Sequence, residues 1–120
     1  MIRALLLIAL LFTARSAHAL DPWTKTDTAM QVTVSSIIVI DWLQTRSSVK
    51  TGGFHELNPV LGAHPDIPRV NAIIGSSLAA TWIVAPLLPK PYRRIFQATI
   101  LIAEMIAVGN NHRVGIRIEF

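Results

Sequence analysis

The chain has 120 residues, of which 52% are hydrophobic and 15% are charged. This length suits a single domain, and the composition is more apolar and less charged than that of a typical soluble domain, so membrane association is the leading class. Cysteine is absent, which excludes a disulfide framework, a lipoprotein attachment cysteine and a thiolate metal site.

Residues 1–19 have the pattern of a secretory signal peptide. Arg3 supplies the positive charge, residues 4–12 form an apolar stretch, and Ala17-His18-Ala19 is a small-x-small cleavage site. We expect cleavage after Ala19, with an uncleaved N-terminal anchor as the alternative. Loss of both arginines of this segment leaves nine basic and seven acidic side chains, a net charge of +2, so nucleic-acid binding by the exported chain is not expected.

The segments that follow predict three helices. The first spans about residues 25–47, and Thr24 with Asp27 resembles a capping box at its start. The second spans about residues 68–88, with Pro68 suited to its first turn, and the third spans about residues 92–109. Pro86, Pro89 and Pro91 end the second helix and form a stiff link to the third. The fold class is therefore all-α, a small transmembrane helical bundle.

The end of the chain has a different period. Residues 113–120 alternate apolar and polar side chains, which predicts a short C-terminal β-strand. We expect this strand to pair with another copy or with the edge of a partner. Residues 20–120 then form a single helical membrane domain that ends in the strand.

Asp41 and Glu104 lie inside apolar segments. A carboxylate at a bilayer centre costs about 2.5–3.5 kcal/mol on insertion scales, so the first and third helices are marginal spans. Residues 70–88 carry no charge and should insert alone. Marginal helices insert when their polar groups face each other inside the bundle.

Helical spacing places the polar residues of each marginal helix along one stripe. The stripe on the first helix contains Asp41, Gln44, Thr45 and Ser48, and the stripe on the third contains Arg93, Gln97, Glu104 and Asn111. On the second helix, the pairs Gly75/Ala79 and Ser76/Ala80 are small faces that let backbones pack closely. These patterns predict a bundle with an inward polar seam.

The predicted location is the bacterial inner membrane. A cleaved signal places the mature N-terminus outside, and five basic residues then lie on the cytoplasmic side against four outside, which weakly favours this orientation. The alternative is a helical bundle in the periplasm that is soluble or only peripherally attached.

One pattern links the first helix to the loop after it. Asp41 and Thr45 are followed by Glu56-Leu57-Asn58-Pro59-Val60-Leu61-Gly62, and this arrangement resembles a set of small uncharacterised bacterial membrane proteins of the domain-of-unknown-function type. The resemblance covers about residues 39–62 and brings no known reaction. It implies that Asp41, Thr45, Glu56, Asn58 and Pro59 are the positions to test.

The loop also permits a metal site. His55 and Glu56, with Asp41 and either His112 or Glu104, would suit zinc or manganese, but the histidine pair of a zincin helix is missing. The favoured alternative is that Glu56 and Asn58 brace the loop. We therefore expect no metal and no cofactor, and no glycine-rich phosphate loop supports nucleotide binding.

Asp41 and Glu104 have three interpretations. They are an acid pair for intramembrane hydrolysis, a proton or ion relay, or structural partners of Arg46, Arg93 and nearby amides. The structural interpretation leads, since basic and amide groups near them suffice to satisfy both. Catalytic candidates, if the chain is an enzyme, are Asp41, Glu56 and Glu104.

The function expected from these observations is that of an accessory or structural subunit of a cell-envelope membrane complex, which associates through its helices. Its partners would be the lipid bilayer and either a second protein or another copy of itself. The alternative is a membrane-embedded enzyme or ion-handling protein, and a further one is a soluble periplasmic protein. The candidate seam or binding residues are Asp41, Gln44, Thr45, His55, Glu56, Asn58, Gln97, Glu104, Asn111 and His112.

Overall fold

A computed structural model describes residues 20–52, 60–62 and 64–119. In these ranges the chain forms three helices: α1, Lys25–Thr51; α2, Ile67–Leu87; and α3, Lys90–Arg113. The all-helical class and the three helices are thus confirmed. The predicted signal peptide lies outside the described residues.

Helix α1 begins at the predicted capping box but ends at Thr51, beyond the predicted end near residue 47. The hydroxyl of Thr24 accepts a hydrogen bond from the backbone N–H of Asp27, and the Asp27 carboxylate accepts one from the backbone N–H of Thr24. This reciprocal capping box satisfies two N–H groups that have no partner within the helix. Gly52 ends the helix with a φ of 72°, a conformation that favours glycine.

Helix α2 starts at an aspartate cap. The Asp66 side chain accepts a hydrogen bond from the backbone N–H of Arg69, and Pro68 lies in the first turn, where a missing N–H costs nothing. The Arg69 side chain then donates to the carbonyl oxygens of Val60 and Leu61. This arginine therefore ties the preceding loop to the start of α2.

Helix α3 is longer than predicted. It begins at Lys90, directly after a proline, and continues through Gly109 and the following asparagines to Arg113. The side chain of Asn111 donates to Asp41 and Gln44 of α1, so contacts with α1 hold the last turn in helical form. Tertiary contacts here override the local tendency of Asn-Asn to form a turn.

The predicted C-terminal strand is wrong for the residues that the structure describes. Val114 caps α3, Gly115 turns the chain with a φ of 96°, and residues 116–119 have no neighbouring strand. The N–H of Ile116 bonds back to the Asn111 carbonyl and that of Glu119 bonds to Ser47 Oγ. Alternation alone predicts a strand, but a strand needs a second backbone to receive its hydrogen bonds.

Helix α1 is the centre of the bundle. Helices α2 and α3 both pack mainly against α1 and contact each other much less. The apolar core lies between α1 and α2, and its buried residues are Val34, Ile38, Leu61, Val70 and Ile74. Trp42 closes it against Gly75, where an added Cβ would lie 3.3 Å from the indole ring.

The interior is unusually polar and the exterior unusually apolar. Arg93, Gln31, Gln97 and Asp27 are each fully buried. By contrast, Ile83 of α2 and Ile106 of α3 are 65% and 68% exposed. The large hydrophobic residues that lie exposed on the helices are Val32, Val39, Ile40, Trp82, Ile83, Leu87, Tyr92, Ile95, Ile102, Met105 and Ile106.

Helix α2 alone among the described helices is long and apolar enough to cross a membrane by itself. Its 21 residues reach a mean hydropathy of 1.6, and 22% of the apolar window is buried. By length, 21 residues extend over about 31 Å, close to the thickness of a hydrocarbon core. The ability to span is inferred from length and composition alone, and core helices of soluble proteins can have the same length and composition.

Candidate functional site

An ion-pair cluster ties the first turns of α1 and α3 together. Arg93 Nη1 donates to Asp27 Oδ2 over 2.7 Å, and Arg94 Nε donates to Asp27 Oδ1 over 2.8 Å. The side chains of Arg93 and Asp27 are fully buried, and that of Arg94 is 34% exposed. We call these three residues the Arg93 clamp.

The buried guanidinium of Arg93 has a partner for every N–H group. Besides Asp27, it donates to the carbonyl oxygens of Ala85 and Pro86 at the end of α2, and to those of Asp21 and Pro22. An arginine offers five N–H donors in a fixed fork, and here each one points at an acceptor. One side chain therefore joins the N-terminal segment, α2, α3 and α1.

Asp27 is held in its ionised form. Burial alone would raise the pKa of this carboxyl, but hydrogen bonds from Thr24, Arg94 and Arg93 outweigh it and set the pKa well below its ordinary value. Asp27 lies in the first turn of α1, ahead of the apolar part of that helix. The negative charge also suits the positive end of the helix dipole.

A chain of amides continues inward from the clamp. Gln97 Nε2 donates to the Asp27 carbonyl and to Gln31 Oε1, each over 3.2 Å. Gln31 Nε2 then donates to the hydroxyl of Thr81 on α2 over 2.8 Å. All three side chains are buried, so this chain links the three described helices through their interior.

A second polar group lies farther along the bundle, beyond the apolar side chains of Val34 and Ile38. Asn111 Nδ2 donates to Asp41 Oδ1 over 3.0 Å and to Gln44 Oε1 over 3.1 Å. Glu104 of α3 is half-buried and lies near enough to Asp41 for the two charges to interact. We call Asp41, Gln44, Glu104 and Asn111 the carboxylate layer.

The carboxylate layer is less fully hydrogen-bonded than the clamp. Glu104 Oε2 is buried and has no hydrogen-bond partner among the described residues. Gln44 donates only over 3.4 Å, to the carbonyl of Val108. Of the two arginines expected to neutralise Asp41 or Glu104, Arg93 pairs with Asp27 instead, and Arg46 Nε is buried with no hydrogen-bond partner among the described residues.

The remaining predicted residues do not join the layer within the described part of the chain. Thr45 is buried on α1, where its carbonyl accepts a hydrogen bond from Ser48. His112 is exposed in the last turn of α3. The loop residues His55, Glu56, Asn58 and Pro59 lie outside the described residues, so their predicted roles stay predictions.

The described residues contain no group of three or more His, Asp or Glu side chains placed to hold a metal ion. The proposed metal set depended on His55 and Glu56, which lie outside that part. The described side chains instead form ion pairs and hydrogen bonds between α1 and α3.

Three members of this interior, Arg94, Gln31 and Thr81, were not among the predicted site residues. A signal for Gln31 was present, because it lies four residues after Asp27 and therefore on the same face of α1. Arg94 follows Arg93 and contacts Asp27 from the adjacent position. No comparable signal marks Thr81, since its neighbours are apolar or small.

Comparison with known proteins adds no relative: no family model, curated protein or solved structure matches this chain. The resemblance drawn from Asp41, Thr45 and the following loop therefore stays a prediction. Inferences about function rest on the arrangement of this chain's own residues.

Proposed function

We propose that this chain is a small exported integral membrane protein that acts as a structural or accessory subunit of a membrane complex. Its helices would cross the bilayer over about residues 29–45, 68–87 and 95–112, lengths within the range that spans a hydrocarbon core. The Arg93 clamp would lie at the water-facing end, beside Trp23 and Tyr92.

The observation that carries this proposal is the reversed distribution of polarity. Arginine, aspartate and glutamine fill the interior, while isoleucine, methionine and tryptophan cover the outside. In water the exposed side chains of Ile83, Ile95, Ile102 and Ile106 would favour aggregation, whereas lipid or a protein partner would solvate them. In a bilayer, buried polar groups must be satisfied within the bundle, as the five N–H donors of Arg93 are.

The orientation follows the predicted export signal. An N-terminus outside places residues 21–24 and the α2–α3 link on the outer side, where the clamp joins them. The loop after α1 and the end of α3 would then face the cytoplasm. This side would hold Arg46, Lys50, Arg69, Arg113 and Arg117.

Association through α2 is supported by its outer face. Ser76, Ala79 and Ala80 are exposed, so this small-residue stripe faces away from the bundle, whereas Gly75 receives Trp42. Small residues let a second helix approach closely in lipid, where dispersion and close packing drive association. A partner helix or a second copy would fit there.

Membrane integration is tested by alkaline carbonate extraction of the C-terminally tagged chain from separated inner and outer membranes. We expect it to stay in the inner-membrane pellet with residues 1–19 removed, as read from its mass. Release into the soluble fraction would contradict the proposal and favour a periplasmic bundle.

Association is tested separately by cross-linking in native membranes. Ala80→Trp should abolish the cross-linked species, because the indole blocks close approach at the stripe. Ala103→Trp, at an equally exposed alanine on α3, is the matched control and should leave the species intact. Equal cross-linking of both variants would rule out the α2 face.

A second candidate function, ion or proton handling, is favoured by one observation. Glu104 Oε2 is buried without a hydrogen-bond partner among the described residues, beside the charge of Asp41. Such a group inside a membrane protein is a typical site of proton or cation exchange. Asp41→Asn and Glu104→Gln should each abolish cation or proton flux in proteoliposomes, and flux retained in both would exclude this function.

A further inference from the structure

The residues that follow α3 form a short strap across the end of the bundle. Gly115 and Ile116 donate backbone hydrogen bonds to the carbonyls of His112 and Asn111, over 3.1 and 3.0 Å. Arg117 Nη1 donates to the His112 carbonyl over 2.8 Å. These bonds fold the segment back over the last turn of α3. We call residues 114–119 the C-terminal strap.

The strap reaches α1 at one point. The N–H of Glu119 donates to Ser47 Oγ over 2.8 Å, and Ser47 is 1% exposed although it lies in the last two turns of its helix. The other anchor is Ile116, the one buried apolar side chain of the strap. The strap therefore starts on α3 and ends on α1.

Both ends of the strap lie beside residues of the carboxylate layer. On α3, Asn111 uses its side chain to hold Asp41 and Gln44 and its carbonyl to hold Ile116 of the strap. On α1, Ser47 lies three residues after Gln44, on the next turn of the same face. The strap thus runs from Asn111, a member of the layer, to Ser47, which lies one turn beyond Gln44.

We propose that the C-terminal strap is a lid that closes the carboxylate layer at the end of the bundle where α1 and α3 finish, and that it opens to admit water. The bond pattern supports opening. Three of its hydrogen bonds stay within the end of α3, a single backbone hydrogen bond ties it to α1, and Ile116 is its one buried apolar side chain. The clamp and the amide chain take no part in these contacts, so they need not rearrange when the strap lifts.

The test uses thiol labelling, because the chain has no cysteine of its own. Ser47→Cys places a reporter at the strap's contact with α1, and Val34→Cys places one in the fully buried core of the same helix. Because the thiol is a weaker acceptor for the Glu119 N–H than the hydroxyl, the strap variants are compared within the Ser47→Cys chain. Each purified full-length variant is exposed to a water-soluble maleimide, and the labelling rate is followed by mass. We expect Ser47→Cys to react measurably while Val34→Cys stays unreacted.

The lid is then loosened within the full chain. Adding Ile116→Lys should raise the labelling rate of Ser47→Cys about tenfold or more, since a charge cannot take the place of a buried isoleucine. Val114→Lys is the matched control, because Val114 is 51% exposed in the same segment, and its effect should stay within about twofold.

Three results would overturn the proposal. The first is equal labelling of Ser47→Cys with and without Ile116→Lys. The second is an equal rise in labelling at Val34→Cys, which would mean that the whole bundle loosens. The third is no reaction at Ser47→Cys in the otherwise unchanged chain. If Ile116→Lys lowers the helix content by circular dichroism, Ile116→Ala takes its place, with a smaller rise expected at Ser47→Cys alone. None of these results depends on whether α1 and α3 cross a bilayer.

Discussion

The two polar groups inside this bundle differ in how completely their charges are satisfied. In the Arg93 clamp, an arginine with five directed hydrogen bonds meets a carboxylate that also caps α1. In the carboxylate layer, Asn111 donates to Asp41 and Gln44, whereas Glu104 Oε2, near the like charge of Asp41, has no hydrogen-bond partner among the described residues. The clamp holds the helices together, whereas the carboxylate layer contains a buried carboxylate oxygen that accepts no hydrogen bond from the described residues.

This contrast assigns different roles to similar residues. A buried ion pair with every donor satisfied fixes the relative position of its helices, and removing one partner is costly. A buried carboxylate oxygen without a donor contributes no such bond and costs free energy to keep. We therefore expect the clamp to determine stability and the layer to be the part of the interior where function is sought.

Neutralising Asp27 is expected to have the largest effect. Asp27→Asn leaves Arg93 buried without its counter-charge, which should lower the free energy of unfolding by about 3–5 kcal/mol. The measurement is denaturant unfolding in detergent followed by circular dichroism. Arg94→Ala removes the more exposed partner of the same carboxylate and should cost about 1 kcal/mol or less. Equal losses in both variants would mean that Arg93 is not the main clamp residue.

Acid should loosen the clamp in a defined direction. Because the pKa of Asp27 is lower in the folded chain than in the unfolded chain, its stabilisation is complete above the unfolded value, about 3.9, and is lost as the pH falls below it. Unfolding curves from about pH 5 down to pH 2 should therefore show a steep loss of stability that Asp27→Asn lacks. Parallel curves for the two proteins would contradict this account.

The smallest effect, and one of opposite sign, is expected in the carboxylate layer. Glu104→Leu removes a buried oxygen that has no donor among the described residues, so unfolding should require about 1 kcal/mol more. Asn111→Leu is the useful comparison, because it breaks two hydrogen bonds to α1 and should destabilise by about 1–3 kcal/mol. Destabilisation by Glu104→Leu would show that Glu104 has a binding partner after all.

Much of the helical framework was predictable from local rules. Thr24 with Asp27 predicted the start of α1, and the prolines around residue 89 predicted the link between α2 and α3. The spacing of Arg93 and Gln97 placed both on one face of α3, and the structure has both facing α1. Periodicity and capping are properties of short segments, which is why they can be read without the tertiary structure.

The pairing between helices was not predictable in the same way. The sequence offered Arg93 as a partner for Asp41 or Glu104, yet Arg93 lies at the level of Asp27, 66 residues away, and Gln97 lies at the level of Gln31 with the same separation. This alignment follows from how α2 returns the chain, and no local pattern encodes it. The strand predicted for residues 113–120 failed for a related reason, because alternation does not supply a neighbour.

The long separation within the clamp also bears on how the protein is made. Asp27 emerges from the ribosome early, and its buried partner Arg93 is synthesised 66 residues later. Until α3 is present, α1 carries an acid that the finished bundle neutralises and hides. A chain that stops before α3 lacks the partner that hides this charge, so the charge of Asp27 distinguishes incomplete copies from complete ones.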